Sequence, residues 1–308
     1  MKQQSFSFPS ATGTCDIQAR RFRPDDGTAL RAVLVIQHGM AEHMDRYLET
    51  IEALCGAGIA VLMHDMAGHG RSLRPGAPSG WFGESGGADA LVEDFRTLVL
   101  QARKDFPREK LIVMGHSMGS FICRLYCARY ASDPFDGAVY MGTGGPNPLA
   151  GAGKTMARLI GSLKGKTHKS AFLNKMAFGK YNERFEGRTA FDWLTRDQAI
   201  VDRYVADPGC GFLFTVQGMA DLVTVNSESN TDAWFAAIKK DLPILLISGE
   251  EDPVGDYGKG IRAVEQKLKE TGHTAVTTIL YPDARHEVLN ETNRGQVRAD
   301  LIRWILAV

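Results

Sequence analysis

Five consecutive residues, Gly115-His116-Ser117-Met118-Gly119, set a serine between two glycines in the pattern G-x-S-x-G. A β-rich apolar run, Leu111–Met114, ends just before them, and a helical pattern, Met118–Tyr130, starts just after. A sharp strand-to-helix turn holds such a serine in a strained backbone position, and the flanking glycines relieve the crowding. The turn also sets the serine oxygen at a helix N-terminus, where the helix dipole favours developing negative charge. This is a setting for a nucleophile. A serine hydroxyl attacks poorly until a base takes its proton, so a histidine and an acid to orient it must lie elsewhere in the chain.

Both types of residue follow later apolar runs. Ile244–Ile247 leads into Gly249-Glu250-Glu251-Asp252-Pro253-Val254, and Val276–Tyr281 leads into Asp283-Ala284-Arg285-His286-Glu287. The order serine, acid, histidine is the one expected with this elbow on a parallel sheet. Asp252 competes with Glu250, Glu251 and Asp256, and is preferred because the proline after it stiffens the loop. Among the eight histidines, His286 is the late, post-strand one. His273 falls in a turn before the last strand, and His168 in a basic stretch. Acyl transfer also needs two backbone N–H groups for the tetrahedral oxyanion. Met118, after the nucleophile, supplies one. The loop Gln37-His38-Gly39-Met40, after the early run Ala32–Ile36, supplies the Met40 amide. His38 itself reads as a side chain satisfied by the loop backbone.

To converge, these residues need one common sheet edge. The runs Ala32–Ile36, Ile59–Met63, Leu111–Met114, Gly137–Met141, Ile244–Ile247 and Val276–Tyr281 predict strands of a parallel sheet buried on both faces. Helical patterns at Ala88–Lys104, Met118–Tyr130, Ile261–Lys269 and Arg294–Ala307 alternate with them, giving a doubly wound α/β fold. Ser5–Arg23 reads as an antiparallel leader hairpin. The alternation stops after Gly142 and resumes at Leu242. Residues 1–143 and 242–308 therefore form an α/β core, and 144–241 a mainly helical cap over the strand ends, where such folds bind ligands.

Composition excludes several classes of protein. The 308 residues carry 36 basic and 36 acidic side chains, so no global field attracts nucleic acid. No run of about 18 apolar residues predicts a transmembrane helix. The N-terminal residues lack the layout of a signal peptide. Five dispersed cysteines read as reduced thiols of a cytoplasmic protein.

The constellation resembles the monoacylglycerol lipase and lysophospholipase branch of the α/β-hydrolases, the serine aminopeptidase-like family. The resemblance rests on five ordered motifs. They are His38-Gly39-Met40-Ala41-Glu42-His43 with Arg46-Tyr47, Asp65-Met66-Ala67-Gly68-His69-Gly70-Arg71-Ser72, the serine elbow, Asp252-Pro253-Val254, and His286-Glu287 with Asn290-Glu291. It implies an α/β-hydrolase fold, Ser117, Asp252 and His286 as triad, and the Met40 and Met118 amides as oxyanion hole. It implies a carboxylic-ester hydrolase acting on lipid-like monoesters, with no metal or organic cofactor. A peptidase or amidase with the same triad is the nearest rival, and a non-catalytic binding protein on the same scaffold a more distant one. In the cap, Phe191-Asp192-Trp193-Leu194-Thr195-Arg196-Asp197 resembles a segment of bacterial members, but no substrate contact carries over.

Two further signals fall short. Gly151-Ala152-Gly153-Lys154-Thr155 resembles the end of a phosphate loop, but Pro148 stands where the first glycine belongs, which points to a cap loop instead. His64-Asp65 lacks a second ligand pair, and Asp65 reads as a loop-fixing residue. Residues 150–188 carry nine Lys/Arg against two Glu, and Met156, Leu159, Ile160 and Leu163 trace an amphipathic helix. The expected arrangement packs this apolar face on the core with lysines outward. The alternative is peripheral contact of 150–188 with an anionic lipid surface.

Overall fold

A computed structural model of the chain describes residues 1–308. Eight strands form one sheet: β1 Lys2–Pro9, β2 Asp16–Arg23, β3 Ala32–Gln37, β4 Ile59–His64, β5 Lys110–His116, β6 Gly137–Met141, β7 Ile244–Gly249 and β8 Val276–Tyr281. Their order is β1-β2-β4-β3-β5-β6-β7-β8. The first two pair antiparallel as the leader hairpin, β2 lies antiparallel to β4, and every later pairing is parallel. β3, β4, β6 and β7 are buried along their whole length. This is why they read as unbroken apolar runs rather than as alternation. β8 is an edge strand in which only Tyr281 is fully buried.

The connecting helices cover both faces. α1 Leu48–Gly56 and α10 Arg294–Ala307 lie on one face, where Leu34, Ile36, Ile51, Leu54, Leu301 and Ile305 share a core. α2 Gly87–Asp105, α3 Met118–Arg129 and α9 Lys259–Glu270 lie on the other, around Val33, Val35, Phe95, Ile122 and Val264. Both cores are built from the same strands, alternate residues pointing opposite ways. All the expected elements are present, three of them with the expected boundaries and the rest shifted by up to three residues.

Between β6 and β7 the chain forms α4 Ala150–Lys164, α5 Ala171–Phe178, α6 Gln198–Ala206, α7 Val216–Glu228 and α8 Asp232–Ala237. Four of these helices start at a polar cap: the side chains of Ser170, Asp197, Thr215 and Thr231 each accept a hydrogen bond from an N–H of the first turn. The Gly151–Thr155 stretch, expected as a loop, is the first turns of α4. The amphipathic expectation for α4 is also corrected. Its buried positions are Ala150, Ala157 and Gly161, and Ile160 packs partly inward, while Met156, Leu159 and Leu163 face outward. Small residues let α4 approach α7 closely, which turns the stripe of large apolar side chains away from the core.

The serine elbow sits where β5 meets α3. Ser117 has φ +54°, a strained region for a non-glycine residue. A Cβ on Gly115 would collide with the Gly119 carbonyl, and one on Gly119 with the carbonyls of Gln37 and His38. The glycines are therefore required by backbone proximity. Gly119→Ala is expected to lower stability by about 2–3 kcal/mol in denaturant titration; an unchanged midpoint would contradict this packing.

Candidate active site

The loops after β3, β5, β7 and β8 converge on a cavity of about 860 Å³ whose wall includes Met40, Ser117, Met118 and His286. Asp252 lies behind His286, fully buried. His286 Nδ1 is 2.9 Å from Asp252 Oδ1. The carboxylate also accepts hydrogen bonds from Val254 N–H and Ser248 Oγ, each at 2.8 Å. With Nδ1 on the carboxylate, Nε2 is left for the cavity side. In this conformation no hydrogen bond joins His286 to Ser117 Oγ; such bonds commonly tighten only when substrate is bound. Of the competitors for the acid role, Glu250 pairs with Arg262 and Asp256 with Lys259, and neither they nor Glu251 replace Asp252 as the carboxylate bonded to His286.

Two neutral histidines shape the loop that carries Met40. His38 Nε2 accepts the Met66 N–H, so its Nδ1–H donates to Gly39 O at 2.8 Å. His38 is thus satisfied by backbone, as expected. His69 Nε2 accepts the Ala41 N–H at 3.2 Å, and its Nδ1–H donates to Ala67 O. Burial pushes the His69 imidazole down to about 3 and keeps it neutral. It supports Ala41 at φ +51°, a strained residue next to Met40. Asp65 fixes loops in turn, accepting from Met44 and Arg71 N–H groups. His64, considered for a metal, is buried with Nε2 on the Gln37 side-chain oxygen.

A buried ionic chain, missed by the sequence reading, lies beneath the cavity. Glu42 Oε1 accepts from Gly39 N–H at 2.7 Å, from Tyr47 OH at 2.9 Å, and faces His116 Nδ1 at 3.1 Å. Arg46 bridges Glu42 at 2.7 Å and Glu287 at 2.6 Å through both guanidinium nitrogens. Glu287 is the residue after His286. Burial would raise the Glu42 carboxyl, but the His116 hydrogen bond and the Arg46 charge hold it well below its ordinary value. Burial would likewise lower His116, but Glu42 outweighs it and raises the imidazole. His116 packs against His286 with ring centroids 4.8 Å apart. All these residues stood in the quoted motifs, but only the fold brings them into contact.

The Phe191–Asp197 segment clasps the histidine loop. Trp193 O accepts from His286 N–H at 3.4 Å and Leu194 O from Glu287 N–H at 2.7 Å. Arg196 binds Glu291, and the Trp193 ring lies 5.2 Å from that of His286. The rest of the cavity wall is largely apolar or aromatic, including Phe121, Phe178, Phe212, Met219 and Leu222.

The sequence profile of the family described as serine aminopeptidase, S33, matches residues 28–293. The chain belongs to that family. It is 30% identical over 277 residues to a monoacylglycerol lipase of Mycolicibacterium smegmatis, covering 90% of this chain and 89% of the relative. It is 27% identical to the monoglyceride lipase of Mus musculus, over 89% and 84% of the two chains. Among solved structures it is similar to a thermostable carboxyl esterase from Bacillus coagulans in complex with glycerol. That pair has a TM-score of 0.92 and 29% identity over 100% and 99% of the chains. A lipase in open form gives a TM-score of 0.87 at 31% identity over 99% and 98%. As a family member with this fold, the chain is a serine ester hydrolase of the α/β-hydrolase class and resembles the monoacylglycerol lipase branch.

The ionic chain makes a specific demand. Glu42→Gln removes the charge that binds Arg46 and His116 while keeping an acceptor for Gly39. The expected result is a kcat lowered about 10–100-fold with little change in KM, as misplacement of the Met40 and His286 loops would cause. Wild-type kcat in this variant would show the chain to be dispensable.

Proposed function

We propose that the protein hydrolyses lipid-like carboxylic monoesters, of the monoacylglycerol or lysophospholipid type, with Ser117 as nucleophile, His286 as base and Asp252 as its orienting acid. His286 takes the Ser117 proton as the oxygen attacks the ester carbonyl. The Met40 and Met118 N–H groups receive the oxyanion. The alcohol leaves with the proton from His286, and water activated by the same imidazole releases the fatty acid from the acyl-enzyme. The observation that carries this reading is a single cavity wall holding the elbow serine, an Asp-bound histidine and both amides beneath a predominantly apolar chamber. The named activities of the Mycolicibacterium smegmatis and mouse relatives support the substrate class. Residues 144–241 act in this reading as a cap that supplies the chamber roof. The family name keeps an amidase alternative in view.

Ser117→Ala is expected to reduce ester turnover by on the order of 10³-fold or more and to abolish fluorophosphonate labelling, with the fold retained by circular dichroism. Retained activity would exclude Ser117. A hydrolysis series over monoacylglycerols and lysophospholipids of graded chain length, each ester set against its matched amide, tests the substrate class. Preference for the amide would replace the lipase reading with a peptidase or amidase.

The cap is proposed to rest on anionic lipid. Leu149, Leu159 and Leu163 are 73%, 54% and 77% exposed, and Phe172 and Met176 on α5 are 62% and 51% exposed. Arg158, Lys164, Lys175 and Lys180, also exposed, lie along the same two helices and the turn after them. α5 lines the cavity too, through Asn174, Lys175, Ala177 and Phe178, so a lipid surface against it would face the chamber mouth. No helix is long and apolar enough to cross a membrane. Action in the cytoplasm belongs to the same reading, and all five thiols are free of disulfides. Sedimentation with phosphatidylglycerol vesicles should exceed that with phosphatidylcholine and fall in Leu159→Glu/Leu163→Glu. Equal sedimentation with both vesicles would remove the electrostatic part of the proposal, and an unaffected variant the apolar part.

A further inference from the structure

We propose that His43, Asp207 and Cys210 form a binding site for one thiophilic divalent cation of the zinc type, at the joint between the Met40 loop and the insert. Their donor atoms, an imidazole nitrogen, a carboxylate oxygen and the thiol sulfur, all lie within 4.8 Å of one another. His43 Nε2 and Asp207 Oδ2 are already 2.9 Å apart. Zinc binds sulfur at about 2.3 Å and nitrogen or oxygen at about 2.0–2.2 Å, which sets tetrahedral ligand pairs roughly 3.3–3.6 Å apart. Small side-chain rotations bring the three donors to that spacing. Three protein ligands leave a fourth position for water, and Asp207, 37% exposed, lies on the solvent side where an ion can enter.

The backbone holds the donors in place. Asp207 Oδ1 accepts from Gly209 N–H at 2.8 Å, which leaves Oδ2 for the ion. Cys210 N–H donates to Asp207 O, closing the turn that sets thiol and carboxylate on one side. A Cβ at Gly209 would press on His43 Cδ2 at 3.1 Å, so the glycine makes room for the ring. Burial raises the Cys210 thiol and keeps it protonated without an ion, and because Arg46 is engaged by Glu42 and Glu287, Asp207 is the carboxylate that faces an incoming dication. As the metal–sulfur bond forms, the thiol releases its proton to solvent. No oxidation is involved.

The position gives the ion leverage on the site. His43 lies three residues after Met40, and the insert already grips this loop: Gly211 N–H donates to Ala41 O at 2.9 Å and Tyr204 OH to the same oxygen at 3.0 Å. An ion joining His43 to Asp207 and Cys210 adds a third tie and stiffens the joint.

The test uses the full-length protein, stripped with chelator and titrated with Co²⁺ as a spectroscopic stand-in and with Zn²⁺. The expected result is one Co²⁺ per chain with a thiolate-to-metal charge-transfer band, and a thermal midpoint raised by Zn²⁺. Both should be lost in Cys210→Ser and weakened in Asp207→Asn, while ester turnover of metal-free Cys210→Ser stays at the wild-type level. Absence of the band, or a band that survives Cys210→Ser, overturns the proposal. Zn²⁺ inhibition that persists in Cys210→Ser would place the ion on His286 instead and overturns it equally.

Discussion

The arrangement depends on one crowded junction, the backbone contact between the serine elbow and the ends of its neighbouring strands. Gly119 sits against the carbonyls of Gln37 and His38, where β3 ends. On the other side Ser117 N–H donates to Met141 O at 2.9 Å, where β6 ends. The turn is thus wedged between both neighbours of β5 in the sheet. The Met40 loop leaves β3 at that point, so its amide starts beside the Met118 amide without any long-range adjustment. Gly142, leaving β6 at φ +56°, passes so close to the His286 and His116 rings that a Cβ there would sit about 3 Å from His286. Proximity at the elbow thereby brings Ser117, Met40, Met118 and His286 into one place.

Electrostatics then divides the buried histidines into two groups. His38, His64 and His69 face backbone groups or a neutral amide, and burial without a directly bonded carboxylate lowers them all. They act as fixed neutral donors and acceptors, which suits residues that shape loops. His116 meets a carboxylate directly and is raised. Its partner Glu42 continues through Arg46 to Glu287, so the Met40 loop and the His286 loop are tied through a single guanidinium. An ion chain this deeply buried is weak evidence for stability, since desolvation offsets much of its attraction. Its value lies in geometry: two loops from opposite halves of the chain are held in register.

Most of the core and the proposed catalytic residues were legible because they follow local rules. Buried parallel strands read as apolar runs, helices as periodic patterns, and the residues of interest fall just after strand ends. Asp252 was separable from Glu250, Glu251 and Asp256 only by the proline after it, a thin argument that the contact with His286 Nδ1 now replaces. Glu42, Arg46 and Glu287 were visible as motif letters without a role. Their partners are 241 residues apart at the longest link, and nothing local in sequence announces such a contact. Trp193 belongs with them, since its carbonyl and ring support His286 from the insert.

The insert was the least legible part, for a reason visible in how it is held. Its own apolar clusters are small: Ala157, Leu173, Val216 and Ala220 in one, Leu194, Tyr204 and Cys210 in the other. These small clusters are not its only apolar anchor: Phe214, Met219, Val225, Trp234, Phe235 and Ile238 are buried in the main core on the α2–α3 face of the sheet. The stretch from Trp193 to Gly211 is attached differently, by polar contacts to the loops of the site, through Trp193 and Leu194 to the histidine loop and through Tyr204 and Gly211 to Ala41. A segment held by its neighbours' backbone needs little apolar periodicity facing inward. On α4 and α5, Met156, Leu159, Leu163, Phe172 and Met176 face outward while Leu173 is buried, and thus much of a pattern that normally signals a buried helix face marks an exposed one here. The part of the insert that reaches Met40 and His286 is thus the polar-tied stretch from Trp193 to Gly211, while α7 and α8 are anchored in the apolar core.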